Sequence, residues 1–295
     1  TIRSLELTAV KSAEKQVTKN TKGRLYCVGY SVKSYYLNGY LISNLLAHKG
    51  ENISVEAIAT FLPRSVVDSL YSVMEKVGLQ VVSLTLEPIA AMEAAIPQNL
   101  RLLNLALVDI GAGTSDIAIS SKDTISAYGM VSQAGDEVTE VIAQNYLVDF
   151  NTAEKIKKQC NENETITYTD VLDIENKISS EEVIKLINPV VQKIADEIGS
   201  KIVELNGDKA PNAIFLVGGG AHTPGLKEFL AKKLNIPNQR IAIKGREAVT
   251  DCVCIDNSLG STGVTVLGIA LISIRRLGHG FIDVMLNGNV ISLFN

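Results

Sequence analysis

The chain has 295 residues, enough for about two domains, and its 46% apolar and 20% charged content suits packed cores and excludes a disordered chain. A formal net charge of −4, with no long Lys/Arg block, speaks against a nucleic-acid role built on bulk electrostatics. The four cysteines, Cys27, Cys160, Cys252 and Cys254, are scattered, which fits a reducing compartment and not a disulfide scaffold.

In chain order, Leu5 to Val17 carries Leu5, Ala9, Ala13 and Val17 at helical spacing. Asn20 to Gly23 is a turn, Leu25 to Tyr36 a strand, and Asn38-Gly39 a type I′ hairpin signal. Tyr40 to Leu45 is the predicted return strand, His48 to Gly50 a turn, and Ile53 to Phe61 an alternating strand. Pro63 opens a helix, Arg64 to Val77, whose buried face is predicted as Val66, Val67, Leu70, Val73, Met74 and Val77. Gly78 ends that helix in a C-cap position, and Leu79 to Leu86 is a predicted strand. These elements form a small α+β unit over about 1–83.

Glu87-Pro88-Ile89-Ala90-Ala91 starts the next helix, with Pro88 in its first turn. Its alanines let it pack very close to a neighbour. Glu87 reads equally as a cap favoured by the helix dipole and as an active-site acid.

The central stretch is Leu105 to Ser120. An apolar run ends in Asp109, a small-residue turn Gly111-Ala112-Gly113-Thr114-Ser115 follows, and Asp116 opens a second apolar run. This pattern predicts strand, tight loop, strand. Such a loop gathers bare backbone N–H groups where an anion can approach. Asp109 could hold a metal ion against phosphate oxygens, directly or through water. An ordinary glycine-turn hairpin has the same pattern.

Lys122-Asp123 is a turn and Thr124 to Val131 a strand. Gly135-Asp136 starts a helix to about Tyr146, whose first N–H groups could touch a phosphate; Asp136 reads equally as its N-cap. Asn151 to Gln159 is a short helix and Cys160 to Thr167 a polar surface loop. Glu181 to Leu205 is the longest helix, with a core stripe from Val183 to Leu205 and Pro189 inside it, expected to kink it.

Ala213 to Val217 is a buried strand running into Gly218-Gly219-Gly220-Ala221. Three glycines there let a ring or a ribose-phosphate lie on the backbone, though a tight turn needs glycine anyway. Thr223-Pro224 is predicted to cap the helix to Leu234; His222 reads as a solvated loop residue. Cys252 and Cys254 share a strand face, without the second ligand pair of a metal site. Gly260 to Gly263 starts an apolar helix, Val264 to Ile274, capped by Arg275 and Arg276 and short of the ~20 residues a membrane span needs. Asn287-Gly288 joins Phe281–Val284 to Val290–Phe294 as a hairpin. No signal peptide, Walker-type loop or Gly-x-Gly-x-x-Gly is present. Thr1 in place of Met, and the abrupt end at Asn295, suggest a piece of a longer protein.

Four of these segments resemble, in order, the motifs of the actin-like ATPase superfamily. Asp109 to Asp116 looks like its second phosphate motif and Leu86 to Ala91 its first connecting motif. Leu216 to Ala221 with Pro224-Gly225-Leu226 looks like the adenosine motif, and Gly260 to Ile272 the second connecting helix. Within the superfamily, Val77-Gly-Leu-Gln-Val before Leu86-Glu-Pro-Ile-Ala-Ala, then Val108 to Ala118, is most similar to the bacterial cell-division protein FtsA and its relatives PilM and EutJ.

The resemblance implies an α/β, ribonuclease H-like ATPase lobe of mixed sheet and helices with a small α+β inserted subdomain. It implies an inserted subdomain at 1–83, a remnant of the first lobe at 84–100, a second lobe at 101–265 with an excursion at about 146–210, and a connecting helix and hairpin at 266–295. It implies ATP and Mg²⁺ as ligands, with Asp109 holding Mg²⁺ through water and Glu87 orienting the attacking water. Gly111, Ala112, Gly113, Thr114 and Ser115 would cradle the phosphates, approached by Gly135 and Asp136. Gly218, Gly219, Gly220 and Ala221 would hold the nucleoside.

A nucleotide-governed division scaffold follows, cytoplasmic, weak in hydrolysis, able to polymerise and partnered by the tubulin-like division protein. Any attachment to the inner face of the membrane would use segments outside this chain. The alternatives are a DnaK-like or reactivase chaperone ATPase, a PilM-like pilus scaffold, and a degenerate fold without nucleotide. The family's first phosphate motif, an Asp-x-Gly-Thr hairpin, is absent, so the first lobe is expected to be incomplete. Ala112 replaces a motif glycine, the amphipathic C-terminal helix of FtsA is absent, and the Phe281–Phe294 hairpin has no counterpart in that pattern.

Overall fold

The computed structural model describes residues 2–20, 23–42, 44–81, 84–121, 124–245, 252–254, 263–277, 281–286 and 289–294, the side chains of Asn20, Gln98, 252–254 and those beyond 270 excepted. The chain divides into two compact units, Thr1–Leu86 with Thr124–Ser126, and Glu87–Asp123 with Ala127–Asn295.

The first unit runs α1 (Ile2–Asn20), β1 (Leu25–Leu37), β2 (Tyr40–Ile42), β3 (Ile53–Pro63) and α2 (Arg64–Lys76). Its sheet is antiparallel in the order β2-β1-β3. Asn38 and Gly39 turn the first hairpin with φ of 50° and 85°, as a type I′ turn requires. Asn38 Oδ1 also accepts from the N–H groups of Glu51 and Asn52, at 3.1 and 2.9 Å, which anchors the β2–β3 loop. The return strand stops at Ile42 instead of Leu45, and the Asn44 carboxamide accepts from the Leu46 N–H at 2.8 Å in a local turn. Glu6 of α1 accepts from the hydroxyls of Tyr30 and Tyr35, at 2.9 and 2.6 Å, which pins the helix to the sheet. That hydrogen bond, with burial, pushes the Tyr35 hydroxyl up to about 12.

Two expectations fail in this unit. Of the predicted buried face of α2 only Val67 is buried; Val66, Leu70, Val73, Met74 and Val77 are exposed. Periodicity marks a face that can be covered and does not say that it is. Gly78 does cap α2, at φ 76°, with the Leu79 N–H reaching back to the Met74 carbonyl at 2.9 Å. Residues 79–81 and 84–86, however, form no strand, and 82–83 lie outside the described residues. An apolar run becomes a strand only beside an edge that accepts its hydrogen bonds.

The second unit begins with α3 (Glu87–Ala95), then β4 (Leu105–Ile110), β5 (Ser115–Ser121), β6 (Thr124–Val131, whose first three residues fall with the first unit), α4 (Gly135–Tyr146) and α5 (Phe150–Gln159). Next come β7 (Thr165–Thr169), β8 (Glu175–Ser179), α6 (Ser180–Leu205), β9 (Ala213–Val217), α7 (Leu226–Leu234) and β10 (Ile241–Ile243). It closes with β11 (Cys252–Cys254), α8 (Val264–Leu277), β12 (Phe281–Leu286) and β13 (Asn289–Phe294). The central sheet has the order β10-β9-β4-β5-β6, with β10, β9 and β4 parallel and β5 antiparallel to β4.

The stripe Val183, Ile187, Val191, Ile194, Ile198 and Ile202 of α6 is fully buried against Val108, Ile117 and Ile119 of the sheet, and Leu226 and Leu230 of α7 join the same core. Each such side chain contributes about 1.5–3 kcal/mol relative to exposure. Ser179 caps α6, accepting from the Glu182 N–H at 3.2 Å, while Glu182 accepts from the Ser179 N–H at 3.0 Å. Pro189 lies inside this helix without ending it.

The predicted polar loop at Cys160–Thr167 is in part a hairpin, β7 against β8, with Ile166 buried opposite Ile178. Thr223-Pro224 does not open α7 directly. A turn ending in Gly225 at φ 82° precedes it, and the helix starts at Leu226. Asp136 is not the N-cap of α4 but lies in its first turn; Ala134 is the cap, and its N–H donates to the Glu137 carboxylate at 2.8 Å. β11 joins the C-terminal hairpin through β13, giving the order β11-β13-β12. The predicted turns at Lys122-Asp123 and Asn287-Gly288, residues 260–262 of the predicted helix start, and the side chains of Arg275 and Arg276 lie outside the described residues. Among the described residues no helix is long and apolar enough to cross a membrane.

Candidate functional site

The site grows from the register of three strands. Parallel pairing sets Asp109 of β4 beside Val217 of β9, so both strands end together and release their loops on the same side. Ligands of α/β sheets bind outside such carboxyl ends. Antiparallel pairing sets Asp109 directly opposite Asp116 of β5. Two like charges in that position destabilise a sheet, so a fold that keeps them implies a use for them.

Burial raises Asp109 above the ordinary carboxylate range, and a hydrogen bond from the Thr265 hydroxyl of α8 acts against the rise. Asp116 is raised by burial and then by the charge of Asp109; the Thr114 hydroxyl, at 3.4 Å, works the other way. Glu87, at the start of α3, is raised by desolvation and by Asp109 and Asp116, so the three carboxylates sense one another. Among the described residues none of the three forms an ion pair. Nor does any group of three His, Cys, Asp or Glu side chains there suffice to hold a metal ion by itself. A cation at Asp109 would take its remaining oxygens from water and ligand, a mode that suits Mg²⁺.

The two glycine bends meet at the end of β4. A Cβ on Gly218 would overlap the Ile110 carbonyl and lie 2.5 Å from Asp109 Oδ1; φ there is 85°. A Cβ on Gly220 would lie 2.5 Å from Ile110 Cγ2 and 3.2 Å from the Gly111 carbonyl oxygen. Gly218 to Ala221 therefore lies backbone against backbone on the start of the Asp109 loop. Gly219 is exposed, while Gly220 and Ala221 are buried.

Within that loop the Gly111 N–H donates to the Thr114 carbonyl at 3.0 Å. The Gly111 and Ala112 carbonyls accept from the N–H groups of Gly135 and Asp136, at 3.1 and 2.8 Å. Gly135 and Asp136 thus use their N–H groups to fasten the loop. The N–H groups of Ala112, Gly113 and Thr114 have no partner among the described residues, and this part of the loop is exposed. Successive amides without partners in an exposed turn are donors that an anion can use. Ser115 is fully buried, and its hydroxyl donates to the Gln133 carbonyl at 2.8 Å, so it braces the loop from behind.

Two contributors were missed in the sequence. Thr265 reaches Asp109 from 156 positions away. Lys157 of α5 donates to the Gly135 carbonyl and the Thr139 hydroxyl, at 3.0 and 2.7 Å, and pairs with Glu154 at 2.6 Å. No local spacing signals either contact.

A family model described as MreB/Mbl protein matches residues 53–255. The cell division protein FtsA of Bacillus subtilis is 24% identical over 211 residues, which is 68% of this chain and 48% of that protein. The chain spans about half the length of the curated relatives it matches. A PilM-PilN type IV pilus biogenesis complex superposes with a TM-score of 0.67 at 18% identity, over 90% of this chain and 71% of that one. MreB5 of Spiroplasma citri bound to ADP superposes with a TM-score of 0.56 at 23% identity, over 74% of this chain and 69% of that one.

Proposed function

The chain belongs to the MreB/Mbl protein family of actin-like ATPases, and from that premise we propose that it is a scaffold of the FtsA type, in which ATP·Mg²⁺ governs polymerisation or partner docking. The observation that carries this reading is the row of free N–H groups at Ala112, Gly113 and Thr114 beside the Asp109–Asp116 pair. A polyphosphate supplies the acceptors those amides lack.

In this reading Gly111 to Thr114 cradle the β- and γ-phosphates, and Gly218 to Ala221 hold ribose and adenine. The raised, unpaired carboxylates of Asp109 and Asp116 fit a hydrated divalent cation, which Asp109 holds through water. Bound Mg²⁺ supplies positive charge against the phosphate oxygens. Glu87 orients a water, and its exposure to solvent suits slow turnover. Phosphoryl transfer depends mainly on positioning and electrostatics, so Asp109 is the residue whose loss matters most. The neighbour solved with ADP, and the similarity to FtsA, support nucleotide as ligand and a division scaffold as role. A tubulin-like division protein is the partner this role calls for. The pilus-assembly reading rests on the fold likeness to the PilM-PilN complex.

Calorimetric titration of ATP·Mg²⁺ tests the reading. Wild type is expected to bind, and Asp109→Ala to bind about 10–100-fold more weakly with an unchanged circular dichroism spectrum. Equal affinity in the two proteins contradicts the site. Sustained phosphate release far above that of a weak hydrolase would instead favour a chaperone-type ATPase.

A further inference from the structure

We propose that Thr265 is a positioning residue for Asp109: its hydroxyl fixes one carboxylate oxygen, Oδ2, and so leaves the other, Oδ1, to receive the bound water of a cation. The proposal rests on the nucleotide reading for its consequence and on the geometry of β4 and α8 for its cause.

β4 is an interior strand of the central sheet. At Asp109 it pairs with Asp116 of β5 on one side and with Val217 of β9 on the other. The backbone there is held from both sides, so the freedom left to Asp109 is that of its two side-chain torsions. The second of these is broad and roughly two-fold in aspartate. A donor from outside the strand is needed to choose between the two oxygens. Among the described residues the Thr265 hydroxyl is the one donor to this carboxylate, and it bonds Oδ2. Oδ1 is turned to the Gly218 bend, where a Cβ would lie 2.5 Å from it and no side chain can stand.

A hydroxyl orients a carboxylate only if it is itself held. Thr265 is 8% exposed and lies in the first turn of α8, between the fully buried Val264 and Leu267. Three residues on, Gly268 comes so close to α3 that a Cβ there would overlap the Ala90 carbonyl. α8 is therefore seated on α3 over this length, and a β-branched side chain in a helix has few χ1 states. The first-turn position also brings the carboxylate to the end of α8 where the helix dipole favours negative charge, the form a cation needs. Asp116 has no comparable hold. Its contact is with the Thr114 hydroxyl, at 3.4 Å, in the exposed part of the loop. Of the two facing acids, Asp109 is the oriented one.

Two measurements test this. In the nucleotide-free protein, Thr265→Val keeps the side chain's shape and removes the donor. It should lower the urea midpoint, and that loss should disappear in an Asp109→Ala background, where the acceptor is already gone. A loss of the same size in both backgrounds overturns the bond. In calorimetric titrations well below the unfolding transition, ATP·Mg²⁺ affinity in Thr265→Val should fall about tenfold, as for other outer partners of a metal site. ATP in EDTA should bind the variant and wild type alike. Thr265→Ser, which keeps the hydroxyl, should bind ATP·Mg²⁺ as wild type does. Thr265→Ala replaces the valine variant in both measurements if that one does not fold. Unchanged ATP·Mg²⁺ affinity in Thr265→Val overturns the positioning role. So does an equal loss with and without Mg²⁺, or a serine variant as weak as the valine one. A wild-type protein that binds no ATP·Mg²⁺ sinks the nucleotide reading and the consequence drawn from it, and the urea comparison still decides whether Thr265 holds Asp109.

Discussion

At the scale of single residues, close backbone approach and paired charge control the site. Gly218 carries both demands that only glycine meets, a φ of 85° and no room for a Cβ against Ile110 and Asp109. Gly218→Ala is expected to cost about 2–4 kcal/mol, from left-handed strain plus overlap with fixed backbone. Gly207→Ala has a φ of 64° in open space and should cost only about 1 kcal/mol. Urea midpoints of the two variants check the difference, and equal losses would mean that the bends do not touch.

The acidic pair makes a pH prediction. A carboxyl raised in the fold binds its proton more tightly folded than unfolded. It therefore removes stability as pH rises from the unfolded value, about 3.9, through the raised one, and costs nothing below both. Asp116→Asn removes that burden. It should stabilise the protein at pH 7 by about 0.5–1 kcal/mol and lose its advantage near pH 3. The same gain at both pH values would count against charge repulsion as the cause.

At the scale of elements, the tightest junction is the crossing of α3 and α8. A Cβ on Gly268 would overlap the Ala90 carbonyl, and Ala90, Ala91, Ala94 and Ala95 keep α3 slim. Gly268→Ala must push the helices apart and is expected to cost about 3 kcal/mol or more, read as a fall in the unfolding midpoint. A variant as stable as wild type would show that the helices do not meet there. The alanine run made that close approach legible before any fold was known. So did the strands around Asp109 and the stripe of α6, because buried strands and helices print their periods in the residues. The β7–β8 hairpin was not legible: each strand pairs only one isoleucine, Ile166 with Ile178, amid polar neighbours. The bare face of α2 was misread because amphipathicity records no partner. Thr265 and Lys157 were invisible because their bonds depend on how separate elements stack, which residue spacing does not encode.

At the scale of the whole molecule, burial is unevenly shared. Among the described residues of the first unit only Val10, Leu45 and Val67 are buried apolar side chains, whereas those of the second unit include one continuous core drawn from six strands and four helices. Conformational entropy is lost per ordered residue in both units, but the apolar gain that offsets it is concentrated in the second. The first unit should therefore open at lower free energy, as a separate cooperative element. Peptides from β1 and β3 are expected to show protection factors at least tenfold below those from β4 and β9. Saturating ATP·Mg²⁺, at about a hundred times its dissociation constant, should raise the opening free energy around β4 and β9 by about 2.7 kcal/mol. If β1 and β3 exchange as slowly as β4 and β9 before nucleotide is added, then the sparse interior of the first unit is not what limits its stability.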